Sequence, residues 1–193
     1  PKLLSNKEKE NLKKLFQIND EFVVCIVGRI EEAKGQHLVL QAVENLRRSG
    51  VKIKTLVVGH FMNENYFNNL KNNYPNDVFT GFVSNPTDFM QISDCLVLAT
   101  KKETFGLVLV EAMKSGICVL GSDNGGPLEI IDNEENGLLF ESMNNNSLKN
   151  KLLLIIQDEK LKQKLSLNGK LKADKQFDSK KQFEEVKNLL ENI

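Results

Sequence analysis

The stretch Cys95-Leu96-Val97-Leu98-Ala99, continuing through Thr100-Lys101-Lys102-Glu103-Thr104-Phe105-Gly106 into Leu107-Val108-Leu109-Val110-Glu111-Ala112-Met113, reads as strand, loop and helix in turn. A short apolar run bounded by polar residues fits a strand buried on both faces. The second run is rich in good helix formers and opens just after a glycine. A third run, Ile117–Gly121, follows at once, so the segment is a βαβ unit, and such units build parallel sheets.

The same alternation extends outward in both directions. Strands are expected at Phe22–Gly28, Lys54–Gly59, Val78–Phe82, Cys95–Ala99, Ile117–Gly121 and Gly137–Phe140. Helices are expected at Gln36–Ser49, Asn63–Asn73, Thr87–Ile92, Leu107–Ser115 and Pro127–Ile131. Beyond Ser147 the pattern is wholly helical, with Leu148, Leu152, Ile155 and Ile156 on one face and a second stripe at Phe177, Phe183, Val186 and Leu190. Asn144–Asn146 reads as a turn leading into that tail. The expected fold is therefore α/β, a Rossmann-like doubly wound six-stranded parallel sheet of order 3-2-1-4-5-6 with a helical C-terminal tail. One domain spans 1–193, with its sheet core over 20–141 and the tail over 146–193.

The composition limits what such a domain can bind. The 26 basic and 26 acidic residues cancel, leaving no global field to draw the chain onto nucleic acid or an anionic membrane. No apolar run approaches the roughly 20 residues of a membrane span, and the first ten residues are charged, so a soluble cytosolic domain is expected. Cys25, Cys95 and Cys118 each fall alone in an apolar run, the pattern of buried thiols. No metal-ligand spacing appears in the sequence.

Two loops carry charge where ligands sit in open α/β sheets, beyond the carboxyl ends of strands. The first is Gly28-Arg29-Ile30-Glu31-Glu32-Ala33-Lys34-Gly35, in which a guanidinium fork and an ammonium lie between glycines. The second runs from Thr100 to Gly106 and opens a helix whose free first-turn N–H groups and dipole favour an anion. In the expected strand order these loops flank the switch point and face one crevice. Two readings stand for Glu103 and Glu111. One is separate contacts to hydroxyl groups; the other is an acid complementing the helix dipole and a solvated helix position, although Glu111 interrupts the apolar run Leu107–Met113. Eight residues of helix would separate them by about 12 Å, beyond the roughly 5–9.5 Å of a hydrolytic carboxylate pair. His37 and His60 are given no catalytic part. The dinucleotide fingerprint G-x-G-x-x-G is absent, which argues against a nicotinamide-dependent dehydrogenase.

In combination, Gly28-Arg29 with Lys34-Gly35, Gly81-Phe82-Val83, the Glu103 to Glu111 spacing, and Asn124-Gly125-Gly126-Pro127-Leu128-Glu129 followed by Asn136-Gly137-Leu138-Leu139 resemble the C-terminal domain of glycosyltransferase family 4, of the GT-B architecture. The resemblance runs from Phe22 to the end of the chain. It implies the donor half of a retaining glycosyltransferase, with a UDP-, GDP- or ADP-sugar as substrate and neither cofactor nor metal. Arg29 and Lys34 would grip the diphosphate, with Gly28 beside them. Glu103 would contact the transferred sugar, with Thr104 and the backbone of Phe105, Gly106 and Leu107 near sugar and phosphate. Glu111 would hold the ribose, and Phe82 and Val83 would lie by the nucleobase. Preorganised donors at the departing phosphate would lower the barrier, each by about 3–4 kcal/mol. Capsule, lipopolysaccharide or another bacterial polysaccharide or glycolipid is the expected product class.

The resemblance also implies an N-terminal lobe, absent here, that holds a glycan or glycolipid acceptor, so that the isolated domain transfers little. A nucleotide-sugar epimerase of the same architecture and a stand-alone binding subunit of a split transferase are the alternatives. Thr104 stands where the family often has Gly, which would narrow the sugar pocket. Ala99-Thr100 replaces a frequent Pro-Ser, and Cys118 a frequent Pro. Phe177, Phe183 and Val186 are expected to expose an apolar patch toward the other lobe.

Overall fold

A computed structural model describes residues 2–177. Its strands are β1 (Phe22–Val27), β2 (Ile53–Val58), β3 (Val78–Gly81), β4 (Cys95–Leu98), β5 (Cys118–Ser122) and β6 (Leu138–Phe140). Its helices are α1 (Asn6–Leu15), α2 (Gln36–Arg48), α3 (Glu64–Asn73), α4 (Pro86–Met90), α5 (Leu107–Lys114), α6 (Pro127–Ile130), α7 (Asn145–Gln157) and α8 (Glu159–Gln176). All strand pairings are parallel, and the order is β3-β2-β1-β4-β5-β6. The expected doubly wound sheet is the observed one, with element ends moved by a residue or two.

Both faces of the sheet are covered, which is why β1 reads as an unbroken apolar run. Val24 and Ile26 point into a core shared with Val39, Val43 and Leu46 of α2 and with Leu148, Leu152 and Ile155 of α7. Val23 and Cys25 point the other way, into a core with Met90 of α4 and with Leu109, Ala112 and Met113 of α5. Cys25, Cys95 and Cys118 are free thiols, all buried.

Three features differ from the sequence reading. Helix α1 precedes the sheet and was not expected: six of its ten residues are charged and none is buried, so it carries too little apolar period to read. A capping box joins Ser5 and Glu8 at its start, and the chain leaving it packs Phe16 edge-on against Phe89, 5.4 Å between centroids. The Asn144–Asn146 segment is a helix start rather than a turn, because the Asn144 side chain accepts from the Ser147 amide and caps α7. Phe177, at the end of α8, is half-buried instead of exposed. Phe183, Val186 and Leu190 lie outside the described residues.

The tail helices are fastened to the base of the sheet. Asp94 accepts from the Val23 amide at 2.8 Å and from Lys162 of α8 at 3.0 Å. Among the described residues no helix is long and apolar enough to cross a membrane.

Candidate functional site

The switch point falls between β1 and β4, and the loops after these two strands lie side by side. The Lys101 amide donates to the Ala33 carbonyl at 3.0 Å. Gly35 makes that approach possible: it is left-handed, φ +73°, and a Cβ there would sit 2.2 Å from the Ala99 carbonyl oxygen. Any other residue would push the loops apart. On the first loop, a short 3-10 turn at Glu32–Lys34 carries Lys34 toward the second loop, and buried Gln36 donates to the Arg29 carbonyl at 2.7 Å.

The two loops meet through charge. Lys34 Nζ lies 3.5 Å from Glu103 Oε2, with 29% and 18% of the respective side chains exposed. That is long for a charge-assisted hydrogen bond, typically about 2.7–2.9 Å, and an ammonium has three donors, so Lys34 can take a second anionic partner. Arg29 behaves differently from its neighbour: its side chain is 63% exposed and pairs with Glu31 at 3.3 Å. An exposed pair of this kind holds its members loosely. Of the residues expected at the site, Lys34, Glu103 and Gly106 come together, whereas Arg29, expected beside Lys34, is exposed and paired with Glu31.

Helix α5 opens at the centre of this cluster. Gly106 is its N-cap, with φ +95° and no side-chain cap. Among the described residues nothing accepts from the Leu107 and Val108 amides, which leaves donors and the positive end of the dipole free for an anion. Glu103 lies in the loop before the helix, so the helical spacing to Glu111 does not apply. Its Oε1 accepts from the Thr104 amide at 3.2 Å, and the Thr104 side chain is exposed.

A third loop, absent from the sequence reading as a working part, props up the second. The Gly126 amide donates to the Glu103 carbonyl at 3.0 Å. A Cβ on Gly126 would lie 2.0 Å from the Phe105 carbonyl oxygen, and one on Gly125 would lie 2.1 Å from that of Glu103. The adjacent glycines were the available signal: they let the loop after β5 press its backbone against the loop after β4. Glu129 is exposed and makes no side-chain cap to α6.

Outside this cluster, Gly28 ends β1 with φ +148°. Phe82 is 79% exposed beyond β3, while Val83 packs on the core to which α5 contributes. Glu111 lies on the outer side of α5, with Val110, Ala112 and Met113 buried around it, and among the described residues its carboxyl makes no hydrogen bond. Partial desolvation in that position raises its pKa above the usual carboxylate range. His37 sits 3.1 Å from the Tyr66 hydroxyl, and burial pushes its pKa down and the tyrosine's up to about 12. The pair joins α2 to α3. His60 stacks on Phe61. Among the described residues no group of three His, Cys, Asp or Glu could hold a metal.

The arrangement is thus an anion cradle of one ammonium and one open helix end, with a carboxylate at its rim for hydroxyl groups. The family described as glycosyl transferases group 1 matches residues 7–172. The capsular polysaccharide biosynthesis glycosyltransferase CapM of Staphylococcus aureus is 31% identical over 190 residues, covering 96% of this chain and 49% of CapM. Among solved structures, HepE of Anabaena in complex with UDP and glucose superposes with a TM-score of 0.89 at 24% identity, over 98% of this chain and 53% of HepE. The C-terminal domain of the group 1 family protein LpcC of Francisella tularensis superposes with a TM-score of 0.80 at 25% identity, over 92% of this chain and 96% of that one. The chain spans about half the length of CapM and of HepE. Matched over most of its length by the family and sharing this fold, the chain belongs to the glycosyl transferases of group 1.

Proposed function

We propose that this chain is the donor-binding half of a retaining glycosyltransferase of family 4, which moves a sugar from a nucleoside diphosphate to a glycan or glycolipid acceptor. The observation that carries the reading is the meeting of Lys34, Glu103 and the uncapped start of α5 at the sheet's switch point. A pyrophosphate needs positive charge and N–H donors, and this crevice offers both without a metal. Lys34 and the amides of Leu107 and Val108 stabilise charge on the departing phosphate, and Arg29 swings in from Glu31 to join them. Glu103 accepts from sugar hydroxyls, Glu111 from the ribose, and Phe82 with Val83 flanks the base. Gly28, Thr104, Phe105 and Gly106 shape the walls.

A second lobe closing over the site is supported by the rim itself. The segments that follow β2, β3, β4, β5 and β6 present Met62, Phe82, Leu107, Leu128 and Met143, all exposed, with Leu107 opening α5 and Leu128 in α6. Apolar side chains collected at one end of a sheet mark a surface that another body covers. The product is a bacterial polysaccharide, a reading favoured by the role named for CapM, and the enzyme works in the cytoplasm. Alone, the chain binds donor and transfers little.

Calorimetric titration of UDP, GDP, ADP and their sugars into the chain tests the reading. One base is expected to bind, and Lys34→Ala to weaken that binding by about 10- to 100-fold, the worth of a charge-assisted hydrogen bond. Absence of binding by every member of the panel overturns the proposal.

A further inference from the structure

We propose that Phe177 is a positioning residue: the end of α8 holds the Glu103–Gly106 loop in the shape that presents Glu103 and the first amides of α5 to the donor, an inference that rests on the donor-site reading above. The Phe177 ring meets the Phe105 ring edge-on, with centroids 6.0 Å apart and planes at 76°. Phe105 lies two residues after Glu103 and directly before Gly106, so a turn of its backbone moves both the carboxylate and the helix start. Its backbone is braced on the other side by Gly126, whose close approach leaves no room for a Cβ. The loop is therefore gripped between the loop after β5 and the end of α8.

Phe177 is itself fixed. Its amide donates to the Ala173 carbonyl at 3.1 Å, and its carbonyl accepts from Lys114 Nζ at 2.6 Å. Lys114 is the last residue of α5, so the aromatic contact at one end of α5 and the lysine bond at the other tie that helix to the end of α8. Helix α8 sits tightly on α5: a Cβ on Gly169 would lie 3.2 Å from Met113 Cγ. A shift of the α8 terminus is consequently passed to the loop rather than absorbed between the helices. Both rings also pack on the core that α5 shares with the sheet, so the edge-on contact couples the loop to that core through the end of α8.

Hydrogen exchange without nucleotide tests the grip directly, using amides whose bonds report on the loop: Lys101 to Ala33, Leu109 to Gly106 and Gly126 to Glu103. Phe177→Ala is expected to raise exchange at these three by tenfold or more, with β2 amides unchanged, and Phe177→Tyr, which keeps the ring, to restore protection. Phe177→Leu keeps apolar volume but not the ring edge, and carries the test should the alanine variant fail to fold. Calorimetry with the nucleoside diphosphate that the wild type binds should show about tenfold weaker affinity for the alanine and leucine variants and none of that loss for the tyrosine variant. Exchange that rises evenly across the sheet, or stays unchanged at the three loop amides, overturns the inference. Failure of the wild type to bind any nucleoside diphosphate removes the donor reading instead, and the grip is then judged on exchange alone.

Discussion

At the scale of single residues the site depends on backbone contacts as much as on charge. Lys34 and Glu103 meet only because Gly35, Gly125 and Gly126 let three loops touch through their main chains. Gly126→Ala would drive a Cβ into the Phe105 carbonyl, and backbone cannot rotate away as a flexible side chain can. We expect a loss of about 1–3 kcal/mol, the usual cost of overpacking, read as a lower Tm together with lost nucleotide affinity. Glu111 yields a pH dependence. Desolvation raises its pKa, and in the proposed ribose contact the ionised carboxylate accepts from the two hydroxyls more strongly than the protonated acid. Nucleotide affinity should accordingly fall as pH drops through that raised value, sooner than for an ordinary carboxylate, and Glu111→Gln should flatten the acidic limb in calorimetry. Charge was legible in the sequence at this scale. Lys34, Glu103 and the Gly106 helix start could be singled out from loop position and residue type, because ligands of open α/β sheets sit beyond the carboxyl ends of strands, while their roles came from the resemblance. The outward setting of Arg29, paired with Glu31 of its own loop, was not legible, because either rotamer of an exposed side chain fits the same sequence. The adjacent glycines signalled a close approach after β5, but not that its partner is the loop after β4.

At the scale of elements, β1 and β4 declare themselves because both faces are covered and their runs are apolar throughout, while β2, β3 and β5 read as strands from apolar runs that Lys54, Thr55, Thr80 and Gly121 interrupt. Helix α1 gave no such sign. Its start is set by the Ser5–Glu8 box, and it is held by that cap and by Leu12 and Phe16 packing on the core rather than by a fully buried stripe. The tail was legible as helix but not in its attachment, which uses single pins such as Lys162 on Asp94. Leu148 on α7 is fully buried against the core shared with α2. Leu148→Ala should cost about 2–5 kcal/mol and lower Tm, while nucleotide affinity measured well below the transition stays unchanged. An equal loss of affinity would mean that α7 reaches the crevice, which its packing on the opposite face of the sheet from α5 argues against.

At the scale of the whole molecule, one topological fact organises the rest. The order β3-β2-β1-β4-β5-β6 puts the first and fourth strands side by side and sends their loops to one edge. Exposed Met62, Phe82, Leu107, Leu128 and Met143 follow strands at the same end of the sheet, and the proposed second lobe would cover them. In the proposed function the Gly28–Gly35 loop and the start of α5 form a single site for a nucleoside diphosphate. Amide chemical-shift mapping during a nucleoside diphosphate titration tests it most directly. Concerted shifts are expected at Arg29 to Lys34 and at Gly106 to Val108, with one shared affinity that Lys34→Ala weakens. Shifts confined to one of these two loops, or lying elsewhere on the fold, would contradict it.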